Sequence, residues 1–294
     1  MSLPAHLVIS GEFVIVGKEP DGDSVRFVAD DPSLFEQLDN GHLAVTSKDG
    51  SIQLRFEGVD TTELHYGQFA QPFGAGARDE LLKWMGFGKV KFKGNTTIVE
   101  SADPATARGS ILSKKVEIHG RPVSFVLLEN EAQGLTSGEM VELDRPLLER
   151  TLNWRLLETG VAYYTVYTST PLRDRLRAAA LKARNAHAHK GRGVWAQDSS
   201  HEFRLVNQDS IGPEGTMILP KLFRRCTDYL KAVDQGFVGE LSEWMIANQG
   251  APRRENDRVV LTGGIEVRFS ELLSQRNATI VFQPDLLDIV FVEK

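Results

Sequence analysis

Short runs of β-branched and aromatic residues, separated by turn residues, dominate the first part of the chain. Two such runs, 12–18 and 24–29, are joined by the sequence Pro-Asp-Gly-Asp at 20–23. Because Asp and Gly tolerate the dihedral angles of a tight turn, this segment predicts a β-hairpin. Similar runs follow at 51–59, 89–94, 109–118 and 122–128. A series of short strands of this kind is typical of a small barrel or sandwich.

Helical patterns are also present, so the predicted fold class is α+β. Three helices are predicted in the first part of the chain, at 74–86, 146–159 and 171–190. The third has the clearest start, because Thr170 is a good N-cap residue and Pro171 suits the first helical position.

The pattern of elements starts again after residue 198. Two helices and four strands are predicted beyond it, at 220–235, 238–248, 258–262, 265–269, 278–283 and 286–292. We therefore predict two domains, 1–198 and a small α+β domain at 199–294. The second has more aromatic residues than a linker needs, which favours an interaction domain for self-association or for a partner protein. A cap that covers an apolar flank of the first domain is an equal alternative.

The overall charge limits the partners of the protein. The chain contains 34 Lys and Arg against 40 Asp and Glu, which gives a net charge of -6 over 294 residues. Such a balance excludes binding of polyanions by bulk charge, so any contact with nucleic acid must be local. The single cysteine excludes an internal disulfide, and no stretch reaches the roughly 20 apolar residues of a bilayer span. We expect a cytoplasmic protein that does not enter a membrane.

Two acidic clusters lie at the ends of predicted strands. One is Asp21-Gly22-Asp23, and the other is the sequence Val-Asp-Thr-Thr-Glu at 59–63. Taken singly, the first is usually only a turn, and the second could end a strand or cap a short helix. Together they supply three or four carboxylates, and such hard oxygen ligands suit Ca²⁺, Mg²⁺ or Mn²⁺ rather than zinc.

The order of several motifs resembles the staphylococcal nuclease, or thermonuclease-like, family. The sequence Asp-Gly-Asp-Ser-Val at 21–25 resembles the Asp-Gly-Asp-Thr-Val hairpin of that family, and 54–63 resembles its Arg-Leu-x-x-Val-Asp-Thr-Pro-Glu strand. Further matches in the same order are Tyr66-Gly67 with the helix that follows, Ala107-Arg108-Gly109-Ser110, 156–162 and 183–195. Single pieces are unspecific, but the ordered set over residues 12–198 is specific.

This resemblance implies an OB-type five-stranded β-barrel with three helices and a site for one Ca²⁺ on its face. Asp23 and Asp60 would be carboxylate ligands of the ion, and Thr61 would contribute its backbone carbonyl. Asp21 would lie nearby without direct ligation. Mg²⁺ and Mn²⁺ are alternatives to Ca²⁺ with the same kind of ligand.

The resemblance also implies the catalytic residues. Glu63 would act on the attacking water as general base, and Arg55 and Arg108 would bind the scissile phosphate. This set is chemically reasonable, because a phosphodiester gains negative charge as it becomes five-coordinate, and guanidinium groups with a divalent cation offset that charge. An ionised carboxylate at hydrogen-bond distance can accept the proton of the water.

Some positions depart from the family pattern. Thr62 stands where the family has proline, and Ala105-Thr106-Ala107 replaces the Lys-Tyr-Gly that precedes the family's arginine. The grip on the terminal phosphate of a nucleotide must therefore differ. Three tyrosines lie near the family's nucleotide-stacking positions, with core packing as an equal interpretation: Tyr163, Tyr164 and Tyr167. The basic residues of 172–192 fit a solvated helix face as well as a phosphate-binding stripe.

We therefore predict a metal-dependent nuclease that hydrolyses phosphodiester bonds of DNA, with RNA as a second candidate substrate. The alternative is an OB-fold module that binds nucleic acid or protein and whose site is idle. In that case Arg55 and Arg108 would be surface arginines paired with neighbouring carboxylates. The fold alone does not separate the two.

Overall fold

The computed structural model describes residues 4–187, 193–248 and 257–293. The chain divides into two compact units, one formed by 1–59 and 75–159 and the other by 60–74 and 160–294. The segment 60–74 therefore belongs to the same unit as the C-terminal third of the chain. The domains 1–198 and 199–294 remain a prediction about which parts fold and act independently.

Within residues 4–159, all of which the structure describes, there are ten strands and three α-helices. The strands are β1 (Ala5–Val14), β2 (Arg26–Ala29), β3 (Ile52–Gln53), β4 (Arg55–Phe56), β5 (Val59–Asp60), β6 (Gly88–Phe92), β7 (Val99–Asp103), β8 (Thr106–Val116), β9 (Pro122–Leu128) and β10 (Met140–Glu142). The helices are α1 (Gly74–Trp84), α2 (Arg145–Glu149) and α3 (Leu152–Glu158).

Seven of these strands form a nearly closed barrel in the first unit. Their order is β3-β2-β1-β8-β9-β4, with β10 paired to β1, and only the β4–β9 pair is parallel. A single residue, Leu54, separates the two strands at the ends of this order. The amides of Leu54 and Phe56 donate to the carbonyls of Val25 and Asp23, at 3.0 and 3.3 Å. The sheet therefore curls until its two ends meet, which confirms the prediction of an α+β fold built on a small barrel.

The apolar residues of the predicted strands form the core of this barrel. Phe13 and Phe27, on either side of the predicted hairpin, are fully buried, with ring centroids 5.1 Å apart. Because β1 and β2 pair antiparallel, the hairpin prediction is confirmed. The first strand starts at Ala5 rather than at residue 12, since 7–14 also pair with β8.

The prediction of one helix at 146–159 is wrong in one respect, because the structure has two helices there, α2 and α3. The second begins after Thr151, whose Oγ1 accepts a hydrogen bond from the amide of Trp154 at 3.2 Å. The Thr151 hydroxyl also donates to the carbonyl of Leu148, in the last turn of α2, at 2.7 Å. A buried threonine therefore ends one helix and caps the next.

In the described residues of the second unit there are seven further strands and three α-helices. The strands are β11 (Tyr163–Tyr164), β12 (Glu202–Arg204), β13 (Arg258–Leu261), β14 (Glu266–Arg268), β15 (Leu273–Arg276), β16 (Thr279–Phe282) and β17 (Ile289–Phe291). The helices are α4 (Arg173–His187), α5 (Pro220–Asp234) and α6 (Leu241–Ala247). Two antiparallel sheets, β12-β16-β15 and β14-β13-β17, lie in the C-terminal region.

Helix α4 starts later than predicted. Leu172 has a φ of 51°, which is outside the helical region, so the helix begins at Arg173. The hydroxyl oxygen of Thr170 accepts a hydrogen bond from the amide of Tyr167 at 2.9 Å. The chain therefore makes a turn at the position where we predicted an N-cap. None of the described helices has both the length and the apolar character that a membrane crossing requires.

Candidate functional site

The segment 60–74 carries three of the predicted site residues, Asp60, Thr61 and Glu63. Asp60 and Thr61 are buried, with exposed fractions of 9% and 3%. Gln71 holds the backbone of Glu63 on both sides. The Gln71 side-chain Oε1 accepts a hydrogen bond from the backbone amide of Glu63 at 3.0 Å, and the Gln71 backbone amide donates to the carbonyl of Glu63 at 2.8 Å. The segment therefore folds back on itself and fixes the residue that we predict to be the general base.

Arg224 of helix α5 binds both carboxylates of this segment. Its Nη2 lies 2.9 Å from Oδ2 of Asp60, and its Nη1 lies 3.4 Å from Oδ1 of the same carboxylate. The same Nη1 also donates to Oε1 of Glu63. The carboxylates of Asp60 and Glu63 thus converge on one cationic group, which is a side chain of the protein itself.

The environment of Arg224 favours its charged form. Burial disfavours a charge there, but the negative charges of Asp60 and Glu63 outweigh it and raise the pKa of Arg224 well above its usual range. A fork-shaped guanidinium on a carboxylate is also among the stronger charged hydrogen-bond arrangements in proteins. The contact is therefore an electrostatic element of the site rather than a loose surface pair.

One face of α5 holds the rest of the segment. Arg224, Asp228 and Lys231 are spaced so that they lie on the same side of the helix. Asp228 accepts a hydrogen bond from the hydroxyl of Tyr66 at 2.5 Å, and the Lys231 ammonium lies 5.3 Å from the centre of the Tyr66 ring. Because Gln71 also donates to a backbone carbonyl just before α5, at 2.7 Å, the segment is fixed at several points along its length.

Asp21, Asp23 and Arg55 lie in the first unit. The amide of Gly22 donates to Oδ1 of Asp21 at 2.7 Å, which is the local turn bond expected of an Asp-Gly pair. The carbonyl of Asp23 accepts from the amide of Phe56, so Asp23 lies beside β4, the strand that carries Arg55. The structure therefore brings Asp23 and Arg55 onto neighbouring segments of the barrel.

Arg108 lies on β8 with its side chain 42% exposed, and it is paired with Asp30. Two parallel hydrogen bonds join them, Nη1 to Oδ1 at 2.7 Å and Nη2 to Oδ2 at 2.8 Å. The hydrogen bond from Arg108 holds the pKa of the Asp30 carboxyl below its usual range. This is the pairing with a neighbouring carboxylate that the alternative hypothesis expects, and a phosphate must compete with Asp30 for this guanidinium.

The candidate stacking tyrosines differ in their environments. Tyr163 and Tyr164 are buried, with exposed fractions of 0% and 4%, and the Tyr163 hydroxyl donates to Oδ1 of Asp198 at 2.9 Å. Burial raises the pKa of Tyr164 to about 12. These two side chains have the surroundings that the core-packing interpretation expects, whereas Tyr167 is half-buried.

The basic residues of α4 are partly used in ion pairs of the second unit. Arg177 donates to Oδ1 of Asp288 at 2.5 Å, and Arg184 donates to Oδ1 of Asp285 at 2.7 Å. Lys190 and Arg192, which also belong to the predicted stripe, lie outside the described residues. At Arg177 and Arg184 the guanidinium is already paired within the second unit, so a phosphate would have to compete for it.

The donor set at Asp60 and Glu63 fits a hard cation in chemical type. Both side chains offer carboxylate oxygens, the ligands that Ca²⁺ and Mg²⁺ prefer, and both already face a positive charge. Within 4–187, 193–248 and 257–293, no group of three or more Asp, Glu, His or Cys side chains is arranged to hold a metal ion. As placed, the two carboxylates are bound by Arg224.

Comparison with known proteins gives no further assignment. No family model matches this chain, and no curated protein matches it either.

The contact of Arg224 with the carboxylates of Asp60 and Glu63 was not predicted from the sequence. Its neighbour Arg225 binds Asp257 inside the second unit. The available signal was the spacing of charged residues along the predicted helix, at 224, 228 and 231. That spacing indicates a charged helix face, but it does not identify the carboxylates that the face meets.

Proposed function

We propose that this protein is a metal-dependent phosphodiesterase that hydrolyses DNA, with RNA as a second candidate substrate, on a staphylococcal nuclease-like OB barrel. The observation that carries the proposal is that the carboxylates of Asp60 and Glu63 converge on one cationic group, the guanidinium of Arg224. These are two carboxylates of the very motif, Val-Asp-Thr-Thr-Glu at 59–63, that resembles the metal-binding strand of that family. The barrel-shaped sheet of the first unit is compatible with the fold that the resemblance implies.

The roles of the residues follow from their chemistry. Asp60 and the carbonyl of Thr61 would hold Ca²⁺, Mg²⁺ or Mn²⁺, and the resemblance adds Asp23 as a ligand with Asp21 nearby. A bound divalent cation supplies positive charge that offsets the charge developing on the phosphate. Glu63, with its backbone fixed by Gln71, would accept the proton of the attacking water.

The phosphate-binding roles belong to Arg55 and Arg108. Each guanidinium can donate two parallel hydrogen bonds to one phosphate, a geometry that suits the equatorial oxygens of a five-coordinate phosphorus. For Arg108, the bidentate pair with Asp30 demonstrates that the side chain can present both donors to one anion. Release of Asp30 would precede phosphate binding.

Cleavage of a fluorescent DNA substrate by the purified chain, with Ca²⁺, Mg²⁺, Mn²⁺ or EDTA, tests the proposal directly. We expect cleavage with at least one of the ions and none with EDTA. Because Asp60 is a proposed ligand, Asp60→Asn is expected to weaken binding of that ion about tenfold or more, the scale of one lost charged interaction. Asp285→Asn is a matched control, since Asp285 is also paired with an arginine of the second unit. Equal ion binding by both variants would remove Asp60 from the proposed ligands.

Substitution of the arginines by lysine tests phosphate binding. We expect Arg55→Lys and Arg108→Lys each to lower kcat/KM about tenfold or more, because a point ammonium does not reproduce two parallel hydrogen bonds to one phosphate. Arg145→Lys is the control, since Arg145 is an exposed arginine paired with Glu149 in the same unit. Full activity of both test variants would make these arginines structural residues.

A second candidate function is a binding module with an idle site. Two observations favour it: Arg224 binds the carboxylates of Asp60 and Glu63, and Asp30 binds Arg108. In that case the chain would bind nucleic acid or protein without cleaving, with the same affinity in EDTA as in Ca²⁺. The cleavage assay and a binding assay on the same labelled DNA separate the two functions.

For residues 199–294 we propose binding of a partner protein or of a second copy of the chain. Two strongly exposed apolar side chains support this role, Val238 at 93% and Ile265 at 63%. Within the same region, α5 has an additional structural role, because it holds the segment 60–74. The region therefore combines one face that supports the candidate site with apolar positions open to solvent.

A further inference from the structure

We propose that Arg224 is an internal competitor for the cation of the proposed nuclease, so that a divalent ion binds Asp60, beside Glu63, only when it displaces this side chain. The inference depends on the proposed function, because it concerns the same two carboxylates. It adds a means of control that lies within the chain itself, on a helix that carries none of the predicted catalytic residues.

Arg224 already uses the carboxylate oxygens that a cation would meet here. Arg224 faces both oxygens of Asp60 and one oxygen of Glu63. A cation that used the same oxygens would lie within a few ångströms of the guanidinium. With the Arg224 side chain 25% exposed and each carboxylate 13% exposed, water screens this repulsion only in part. Simultaneous binding is therefore strongly disfavoured.

Helix α5 places Arg224 at this position. Phe223, which precedes it in α5, and Cys226, two residues after it, are fully buried. On the same helix face as Arg224, Asp228 accepts a hydrogen bond from the hydroxyl of Tyr66. This contact holds α5 and the segment 60–74 in fixed positions relative to each other. Arg224 therefore differs from a mobile surface side chain, whose contacts vary. Its backbone is fixed where its guanidinium meets the two carboxylates.

The Arg224 side chain can leave the two carboxylates. Although its backbone is fixed, the Arg224 side chain is one quarter exposed, and arginine has several rotatable bonds. Displacement by a cation therefore requires rotation of one side chain toward solvent, while the buried residues of α5 stay in place. Arg224 can therefore release Asp60 and Glu63 without unfolding of α5.

Cation binding by the full chain tests the proposal. Calorimetry with Ca²⁺ and luminescence of Tb³⁺ would be compared in the wild type, in Arg224→Gln and in Arg258→Gln. Arg258 is a matched control, because it is an arginine of the same unit that is paired with a glutamate, Glu266. We expect Arg224→Gln to bind Ca²⁺ at least tenfold more tightly than the wild type, and Arg258→Gln to bind like the wild type. Affinity equal to or weaker than wild type in folded Arg224→Gln overturns the proposal.

Arg224→Lys keeps the test decisive if the glutamine variant does not fold. Lysine retains the charge but cannot bridge both oxygens of Asp60, so we expect Ca²⁺ affinity between those of the wild type and Arg224→Gln.

A measurement on the wild type alone provides a further test. Saturating Ca²⁺ should shift the Nε–H resonance of Arg224 toward that of a solvent-exposed arginine, and an unshifted signal with Ca²⁺ bound overturns the proposal.

Cleavage of DNA, measured on the same samples, separates this inference from the proposed function. Tighter Ca²⁺ binding by Arg224→Gln without cleavage by any variant would reject the nuclease and keep the competition. Metal-dependent cleavage with equal Ca²⁺ affinity in the wild type and the variant would keep the nuclease and reject the competition. Loss of both binding and cleavage in folded Arg224→Gln would show that Arg224 organises the site, which also overturns the proposal.

Discussion

Glu63→Gln is expected to lower the turnover of DNA cleavage by roughly 10² or more, the usual scale for loss of a general base. The amide is nearly isosteric with the carboxylate but cannot accept the proton of the attacking water. Since the backbone of Glu63 is held by Gln71, we expect the local structure to remain. The measurement is kcat at saturating DNA and metal ion, together with the melting temperature of each variant.

Glu266→Gln is the control for this substitution. Glu266 is also a glutamate of the second unit bound by an arginine, Arg258, so this variant removes a more exposed pair of the same two residue types at a position outside the candidate site. A normal rate in Glu266→Gln together with a reduced rate in Glu63→Gln isolates the catalytic effect. Unchanged cleavage by Glu63→Gln would rule out Glu63 as the general base.

Asp257→Asn is expected to destabilise the second unit by about 3–5 kcal/mol, the range for breaking a buried ion pair from one side. Asp257 is 2% exposed and accepts from Nε and Nη2 of Arg225, at 2.8 and 2.5 Å. The ammonium of Lys221 lies 3.2 Å from its other oxygen. Because Arg225 and Lys221 are themselves buried, the substitution leaves two buried cations facing a neutral amide.

The free energy of unfolding in urea, measured by circular dichroism, tests this expectation. Asp288→Asn is the control, because Asp288 is paired with Arg177 at a position where both side chains are more than one third exposed. An exposed pair contributes about 1 kcal/mol or less. An equal decrease in the free energy of unfolding in the two variants would contradict the view that the buried contacts of Asp257 with Arg225 and Lys221 are important for stability. Since Arg225 follows Arg224 on α5, this variant also tests how firmly the helix is held.

Elements with strong local signals were predictable from the sequence. The hairpin around Asp21-Gly22-Asp23 has turn residues between two β-branched runs, and β1 and β2 pair as expected. Helix α5 was predicted at 220–235 and lies at Pro220–Asp234, because apolar residues recur on one face. Errors occur where a residue has two local roles. Thr151 divides one predicted helix into two, and Thr170 accepts a bond in a turn instead of capping α4.

The candidate site was predictable only in part. The motif at 59–63 identified Asp60 and Glu63 as carboxylates of interest, because residue type and spacing are visible in the sequence. Their partner was not visible, because Arg224 follows them by 164 and 161 positions along the chain. The same holds for Arg108, whose partner Asp30 lies 78 positions away, directly after strand β2.

The sequence by itself determined the kinds of elements, the turn at 20–23 and the chemical types of the candidate site residues. These depend on interactions between near neighbours, such as dihedral preference, periodicity and capping. Only the tertiary structure decided which charges meet: Arg224 with Asp60 and Glu63, and Arg225 with Asp257. The physical reason is that the strength of an ion pair depends on separation and burial in space, and neither quantity is encoded in local pattern.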